Sequence, residues 1–345
     1  MARYEDFIPQ NVAPQGARRI GVYNAQGNKV GAIPLGSLAL PKTGAKQYSF
    51  GALSDVHIGY DTAVEDFQHA LSFLTDNEGV NFTCICGDLT GLGSNEQLAQ
   101  YKGIVDSYSA NTPVYAIAGN HEGMTENVEG RIATYTGHSL YYSFPYGNDV
   151  FIMVGTIGGE MYSNGVVFAD GELQWLYATL EANRNKRCFV FQHIFPGVVK
   201  EKTCGNAGGV YSNWCWHDTA ECLAFESLMK HYKNVIWLHG HSHMRFALQT
   251  SNAEYANYSY SDSYHSVHIP SLAVPRDDAN GDGTAETVYA GSEGYVVDVY
   301  ENGIHLRGRD FVAGEYLPIA SYWLDTTLQT VEAGTYTDTT GTIET

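Results

Sequence analysis

No stretch of the 345-residue chain approaches the roughly 18 consecutive apolar residues that a membrane-spanning helix needs. Its first residues, Met1-Ala2-Arg3-Tyr4-Glu5-Asp6-Phe7, lack the continuous apolar run of a secretory leader. Basic side chains are scarce: 19 Lys and Arg stand against 38 Asp and Glu, a formal charge of -19. Without a basic tract to follow a phosphate backbone, long nucleic acid and anionic lipid are poor partners. The six cysteines show no CxxC spacing, so no thiolate zinc site is indicated. Cys84 and Cys86 flank an isoleucine in a strand-like run and read as buried thiols; one disulfide among Cys204, Cys215 and Cys222 is allowed but not implied. Together these absences predict a soluble, cytoplasmic protein with mainly reduced thiols, no signal peptide and no membrane span. What is present, 44% hydrophobic and 17% charged residues, is enough for a sizeable core. A chain this acidic can bind phosphate esters if its site supplies its own cations, and bound divalent metals would do so.

Hydrophobic periodicity divides the chain into three parts. Residues 1–46 suggest a β-hairpin-like extension, because strand-like 19–23 and 29–33 flank the turn-rich 24–28. Strands and helices then alternate. Strands are expected over 48–56, 81–86, 113–118, 141–144, 150–154, 188–192 and 235–238. Helices are expected over 62–76, 94–108, 172–182 and 219–231. In the first helix Val64, Phe67, Leu71 and Leu74 share a face, and Thr62 with Glu65 has the spacing of a capping box. Residues 266–269, 294–300 and 304–309 again read as strands, so an α/β start gives way to a β-rich end. The main domain is placed at 47–312, and 313–345 is a Thr-rich C-terminal segment whose last twenty or so residues read as an edge element or mobile tail.

Five polar clusters fall where these strands should end: Asp55-Val56-His57, Gly87-Asp88, Gly119-Asn120-His121-Glu122, Gln192-His193 and Gly240-His241-Ser242-His243. Strand ends are where open α/β sheets place ligand sites. In an extended segment, residues two apart point the same way, so Asp55 and His57 can approach one cation, and His241 and His243 a shared site. Carboxylate, amide oxygen and imidazole suit Mn, Fe or Zn. Singly, each cluster is a turn or a hydrogen-bonded histidine; five in order are a different matter.

This ordered set resembles the signature of calcineurin-like metallophosphoesterases over about residues 48–245. The resemblance implies a mixed α/β fold, a double β-sheet sandwich flanked by helices in four layers, with two divalent metal ions. By motif, Asp55, His57 and His243 would bind the first metal, Asp88 would bridge both, and Asn120, His193 and His241 would bind the second. It further implies hydrolysis of phosphoester bonds by a metal-bridging hydroxide, with His121 stabilising the transition state or protonating the leaving oxygen.

Protein serine/threonine phosphatases of that superfamily continue the second motif as Gly-Asp-x-x-Asp-Arg-Gly. Here Leu89-Thr90-Gly91-Leu92-Gly93 follows Asp88, so the second Asp and the Arg are missing. That departure favours a phosphodiester or a small phosphorylated molecule as substrate. Tyr211, Trp214 and Trp216, in the loop after His193, could stack on a flat leaving group or bury the loop; Arg245 could touch the phosphate or form a surface ion pair. Asp278, Asn280 and Asp282 alternate as in a calcium loop, but Tyr289 occupies the twelfth position, and a polar hairpin is the better reading. His239 is expected to pack rather than ligate. Two alternatives remain: a nuclease, and a structural or attachment protein, for example phage- or virion-associated, built on a phosphoesterase core.

Overall fold

The computed structural model describes residues 19–23, 29–34, 44–108, 112–158, 166–194, 219–247, 258–261, 264–277 and 287–345, the short pieces 19–23, 29–34 and 258–261 by their backbone alone. Its strands begin with β1 (Arg19–Tyr23), β2 (Lys29–Pro34), β3 (Lys46–Leu53), β4 (Phe82–Ile85) and β5 (Val114–Ala116). Next come β6 (Tyr141–Tyr146), β7 (Asp149–Val154), β8 (Cys188–Gln192), β9 (Val235–His239), β10 (Tyr258–Ser261) and β11 (Tyr264–His268). The last are β12 (Arg276–Asp277), β13 (Thr287–Val288), β14 (Glu293–Tyr300), β15 (Gly303–Asp310) and β16 (Glu315–Asp325). The α-helices are α1 (Ala63–Ser72), α2 (Asn95–Tyr108), α3 (Val128–Thr136), α4 (Glu172–Ala182) and α5 (Ala220–His231).

Two six-stranded mixed sheets dominate, ordered β16-β15-β14-β3-β4-β5 and β10-β11-β9-β8-β7-β6. β3, β4 and β5 run parallel, as do β7, β8, β9 and β11, which brings their C-terminal ends to one edge of each sheet. Antiparallel β14 joins the later strands to β3. β1 and β2 pair antiparallel with each other, and β12 with β13.

The strands are apolar on both faces because both are covered. In β7, Phe151 and Met153 enter the core between the sheets, while Val150, Ile152 and Val154 join the layer containing α4 and α5. β8 divides likewise, Phe189 and Phe191 inward, Cys188 and Val190 outward. Across the other sheet, Leu53, Ile85 and Val296 pack with Phe67 and Leu71 of α1 and Tyr101 of α2. The result is four layers, helix–sheet–sheet–helix. Phe50 and Phe82 stack at 5.5 Å, and Phe151 meets Phe50 edge-on at 5.1 Å. Fully burying each such ring contributes about 1.5–3 kcal/mol.

A buried ion pair ties the sheets together at the end away from the parallel strands' C-termini. Arg187, just before β8, bonds Asp149 through Nε at 3.1 Å and through its terminal nitrogen at 2.7 Å. Tyr48 of β3 donates to the same carboxylate at 2.6 Å, and Arg187 also reaches the Tyr300 carbonyl at 3.0 Å. Burial, followed by the Asp149 charge, pushes the Tyr48 phenol up from its ordinary value.

Local structure departs from expectation in several places. The first helix is α-helical only through Ser72 and continues as a π-helix over Phe73–Glu78, ending at Gly79 with φ 60°. The capping box does not form: Thr62 has helical dihedrals (φ -101°, ψ -5°) and its side chain caps no backbone N–H. An N-cap oxygen typically reaches forward from an extended residue, and a helical one turns it away. Thr219 is extended and does cap α5, accepting from Cys222 N at 3.2 Å. Nothing in the periodicity announced α3 or β16. Within 313–345, β16 pairs antiparallel with β15, and Val331, Tyr336 and Ile343 are buried beside α4 and α5. Cys84, Cys86 and Cys188 are buried free thiols, and Cys222 is buried; Cys204 and Cys215 lie outside the described residues. No helix among the described residues is long and apolar enough to cross a membrane.

Candidate metal centre

β3, β4 and β5 of one sheet and β8 and β9 of the other end at the same side, and each is followed within a few residues by one of the five polar clusters. Their loops are stitched together. Asp55 N donates to Gly87 O at 3.1 Å, His57 N to Asp88 O at 3.0 Å, and Gly240 N to His193 O at 2.9 Å.

Side-chain convergence here does not come from strand alternation. β3 stops at Leu53 and β9 at His239, and Asp55, His57, Asp88, His241 and His243 all have positive φ, between 48° and 70°. Among the described residues Asn127 is the one other non-glycine with positive φ. An L-residue in this region costs about 1–2 kcal/mol. Strain of that size on five residues in one place marks a site whose geometry the surrounding structure enforces. The left-handed backbone, rather than a two-residue period, turns these side chains onto a common point.

The donor atoms fall into two groups that share Asp88. One comprises Asp55, His57, Asp88 and His243, the other Asp88, His193 and His241, each with donor atoms within 4.8 Å of one another. His57 Nε2 and His243 Nε2 are 3.0 Å apart, and His243 Nε2 is 3.0 Å from Asp55 Oδ1. His193 Nε2 lies 3.1 Å from Asp88 Oδ2. Asp55 Oδ1, Asp88 Oδ2, Asn120 Oδ1 and His193 Nε2 are buried without hydrogen-bond partners. Buried polar atoms are normally satisfied, so orphans aimed at one space call for an occupant. Two carboxylates, an amide oxygen and four imidazoles suit a divalent cation of the first transition row.

Electrostatics agree with that assignment. Burial opposes ionisation of Asp55, yet the imidazoles of His243 and His193 hold its carboxyl well below the usual carboxylate range. Asp88 is likewise buried and held low by His193 and His121. Burial lowers His57 to about 4, leaving it neutral as a ligand must be. For His193 burial also favours the neutral form, but Asp88 and Asp55 overcome it and raise the imidazole to about 9. In the absence of a cation, a protonated His193 offsets one of the two carboxylate charges.

His121 sits at the rim, its side chain 11% exposed. Its Nδ1 is 2.7 Å from the Gly91 carbonyl, which can only accept, so Nδ1 carries the proton. Nε2 is thereby directed inward, 3.8 Å from Asp88 Oδ2, while the His121 backbone N–H donates to Asp88 Oδ1 at 2.9 Å. The adjacent Glu122 faces elsewhere. Its buried carboxylate accepts from Thr90 N, Thr90 Oγ1 and Gly119 N at 2.8–2.9 Å, clamping the Asp88 loop to the Asn120 loop. Burial, reinforced by Asp88, raises the Glu122 carboxyl. Gly119 has to be glycine, since a Cβ there would lie 2.2 Å from Asp88 Oδ1.

The remaining candidates are placed differently. Arg245 is committed to Asp277 at 2.8 Å and Glu293 at 3.6 Å, with its guanidinium 3.4 Å from the centre of the Tyr289 ring. Tyr211, Trp214, Trp216, Asp278, Asn280 and Asp282 lie outside the described residues. His239 is buried beneath the site, its Nε2 2.9 Å from Ser266 Oγ. Sequence reasoning overlooked Tyr60, whose ring stacks on His57 at 4.9 Å and 5° between planes. Its position three residues after a candidate ligand was the available signal.

Comparison with solved structures finds similarity over most of this chain. The anchor protein GAP50 of the Plasmodium inner membrane complex is 12% identical with a TM-score of 0.54, over 84% of this chain and 91% of that one. Vps29 from Cryptosporidium parvum is 12% identical with a TM-score of 0.39, covering 81% of this chain and 100% of that one. The NAD nucleotidase of Haemophilus influenzae is 11% identical with a TM-score of 0.40, covering 76% of this chain and 49% of that one. No curated protein matches the sequence. The calcineurin-like phosphoesterase family matches residues 48–245, the span that runs from β3 past the last presumed ligand, and the chain belongs to that family.

Proposed function

We propose that the chain hydrolyses phosphoester bonds at a two-metal centre, one ion held by Asp55, His57 and His243, the other by Asn120, His193 and His241, with Asp88 shared. The observation that carries this reading is the division of donor atoms into two groups meeting at Asp88. Bound divalent ions would supply positive charge for the phosphoryl oxygens and a hydroxide at neutral pH. Mn, Fe and Zn all suit the donor set.

The chain's own contribution centres on His121. With Nδ1–H donated to Gly91 O, the imidazole presents Nε2 toward the space beside Asp88. An imidazole so fixed can pass a proton to the leaving oxygen as the ester bond breaks. Asp88 also anchors His121 through the backbone N–H, so ligand and proton donor keep a fixed relation. The substrate we favour is a phosphodiester or a small phosphorylated molecule; the charge of -19 disfavours long nucleic acid.

Purified protein loaded with Mn, Fe or Zn should hydrolyse bis-p-nitrophenyl phosphate or p-nitrophenyl phosphate, leave single-stranded DNA intact, and lose activity on chelation. Full metal occupancy with no hydrolysis of either ester would favour an attachment role for the phosphoesterase core.

A further inference from the structure

Beside the metal centre lies a groove of about 690 Å³ whose walls are continuations of the ligand loops. One wall is Gly59 to Thr62, directly after His57; another is Ala273 and Val274, where Ala273 N donates to Asp55 O at 3.3 Å. Tyr60 connects groove and centre. It lines the groove, stacks on His57, and is packed so closely on Gly91 that a Cβ there would lie 2.7 Å from its ring. Gly91 is the residue whose carbonyl orients His121.

The groove's chemistry is uneven. Tyr60, Val288 and Val312, 39%, 52% and 49% exposed, are among the few large apolar side chains left open to solvent, and all three line it. Asp61 and Asp66 add carboxylates, Tyr289 adds a second aromatic ring, and among the described lining residues none is Lys or Arg. Tyr289 already holds one cation, the Arg245 guanidinium, against its ring. Aromatic and apolar walls with carboxylates and no basic residue repel an anion and suit an alkylammonium group, which gains from ring faces and negative charge together.

We infer that this groove holds an ester arm carried by the substrate's phosphoryl group, and that this arm bears an alkylammonium group. The inference rests on the phosphoesterase reading above and names its substrate class. In the reaction, water oxygen bonds to phosphorus as the phosphorus–oxygen bond to the leaving group breaks. The bond's electron pair departs with the leaving oxygen, and a water proton is released.

The test compares two esters that differ in one atom, 4-nitrophenyl phosphorylcholine and its uncharged 3,3-dimethylbutyl counterpart, on metal-loaded protein. The choline ester should show a kcat/KM about three- to thirtyfold higher, the range expected for a cation on aromatic faces. Asp61→Asn and Tyr60→Leu should each bring that ratio toward one. Because the ratio cancels metal loading and folded fraction, a poorly loaded or partly folded variant still reports on the groove. A wild-type ratio near one, or a high ratio untouched by both variants, overturns the inference while leaving the phosphoesterase intact. Failure to hydrolyse these esters and both nitrophenyl phosphates at full metal occupancy overturns the phosphoesterase reading, and the inference with it.

Discussion

His57 and His243 bring their Nε2 atoms to 3.0 Å although 186 residues separate them. Both sit on positive-φ backbone, and a carboxylate oxygen of Asp55 lies 3.0 Å from His243 Nε2. Two imidazole nitrogens so close need a proton or a cation between them. In the metal-free protein a neutral tautomer with its N–H at one of the two Nε2 atoms joins the pair, and a bound cation would take the place of that hydrogen.

Removing one partner should therefore cost metal before it costs the fold. His243→Ala is expected to lower metal content and abolish turnover, while circular dichroism of the metal-free protein stays that of the wild type. In the wild type, metal should raise the unfolding midpoint, by about 4 kcal/mol of stability at a free concentration a thousand times Kd. Elemental analysis with thermal melts checks both; a His243→Ala protein with full metal content would remove His243 from the ligand set.

His121 should separate chemistry from metal binding. His121→Ala is expected to keep its metals and lose about 10²- to 10⁴-fold in kcat, the usual scale for a lost general acid. Steady-state kinetics at measured metal occupancy decides. Wild-type kcat would exclude His121 from proton transfer.

Metal binding should release a proton at His193. Asp88 and Asp55 raise this imidazole to about 9 against its burial, so it is protonated at pH 7 and must deprotonate to ligate. About one proton should leave from this residue at pH 7, fading as pH passes 9, and metal affinity should rise with pH up to that point. In metal-free protein the raised value stabilises the fold below the ordinary histidine range near 6.5, and this contribution is lost as pH rises through about 9. Calorimetry in buffers of differing ionisation enthalpy measures the release; a buffer-independent heat at pH 7 would contradict it.

Two glycine-to-alanine changes should act in opposite directions. At Gly119 a Cβ would lie 2.3 Å from Asp88 N, so Gly119→Ala must displace the Asp88 loop and is expected to reduce metal content. At Gly103, exposed within α2, a Cβ meets nothing within 4 Å, and Gly103→Ala should stabilise by about 0.5–1 kcal/mol through helix propensity. Denaturant melts and metal analysis of the pair test the contrast.

Much of the fold was legible because buried strands and amphipathic helices leave period and composition in the chain. The reading of 188–192 matches β8 residue for residue, and 172–182 matches α4. α3 escaped because it is nine residues long and contains a glycine, too short for a period to emerge. β16 escaped because its burial is uneven along its length, as befits the edge of a sheet. Thr62 failed as a capping residue because its own backbone is helical, which no side-chain pattern records.

For the site, sequence alone singled out the candidate donor residues and their order along the chain, since ligand chemistry resides in the side chains themselves. Only the tertiary structure decided how they meet. Positive φ at Asp55, His57, Asp88, His241 and His243 depends on hydrogen bonds between loops far apart in sequence, such as His57 N to Asp88 O. The same holds for the Gly91 carbonyl that orients His121, for Glu122 as a clamp between loops, and for Arg245 being drawn to Asp277. Each is a contact between residues with no local pattern to announce it, brought together by burial of two sheets against one another.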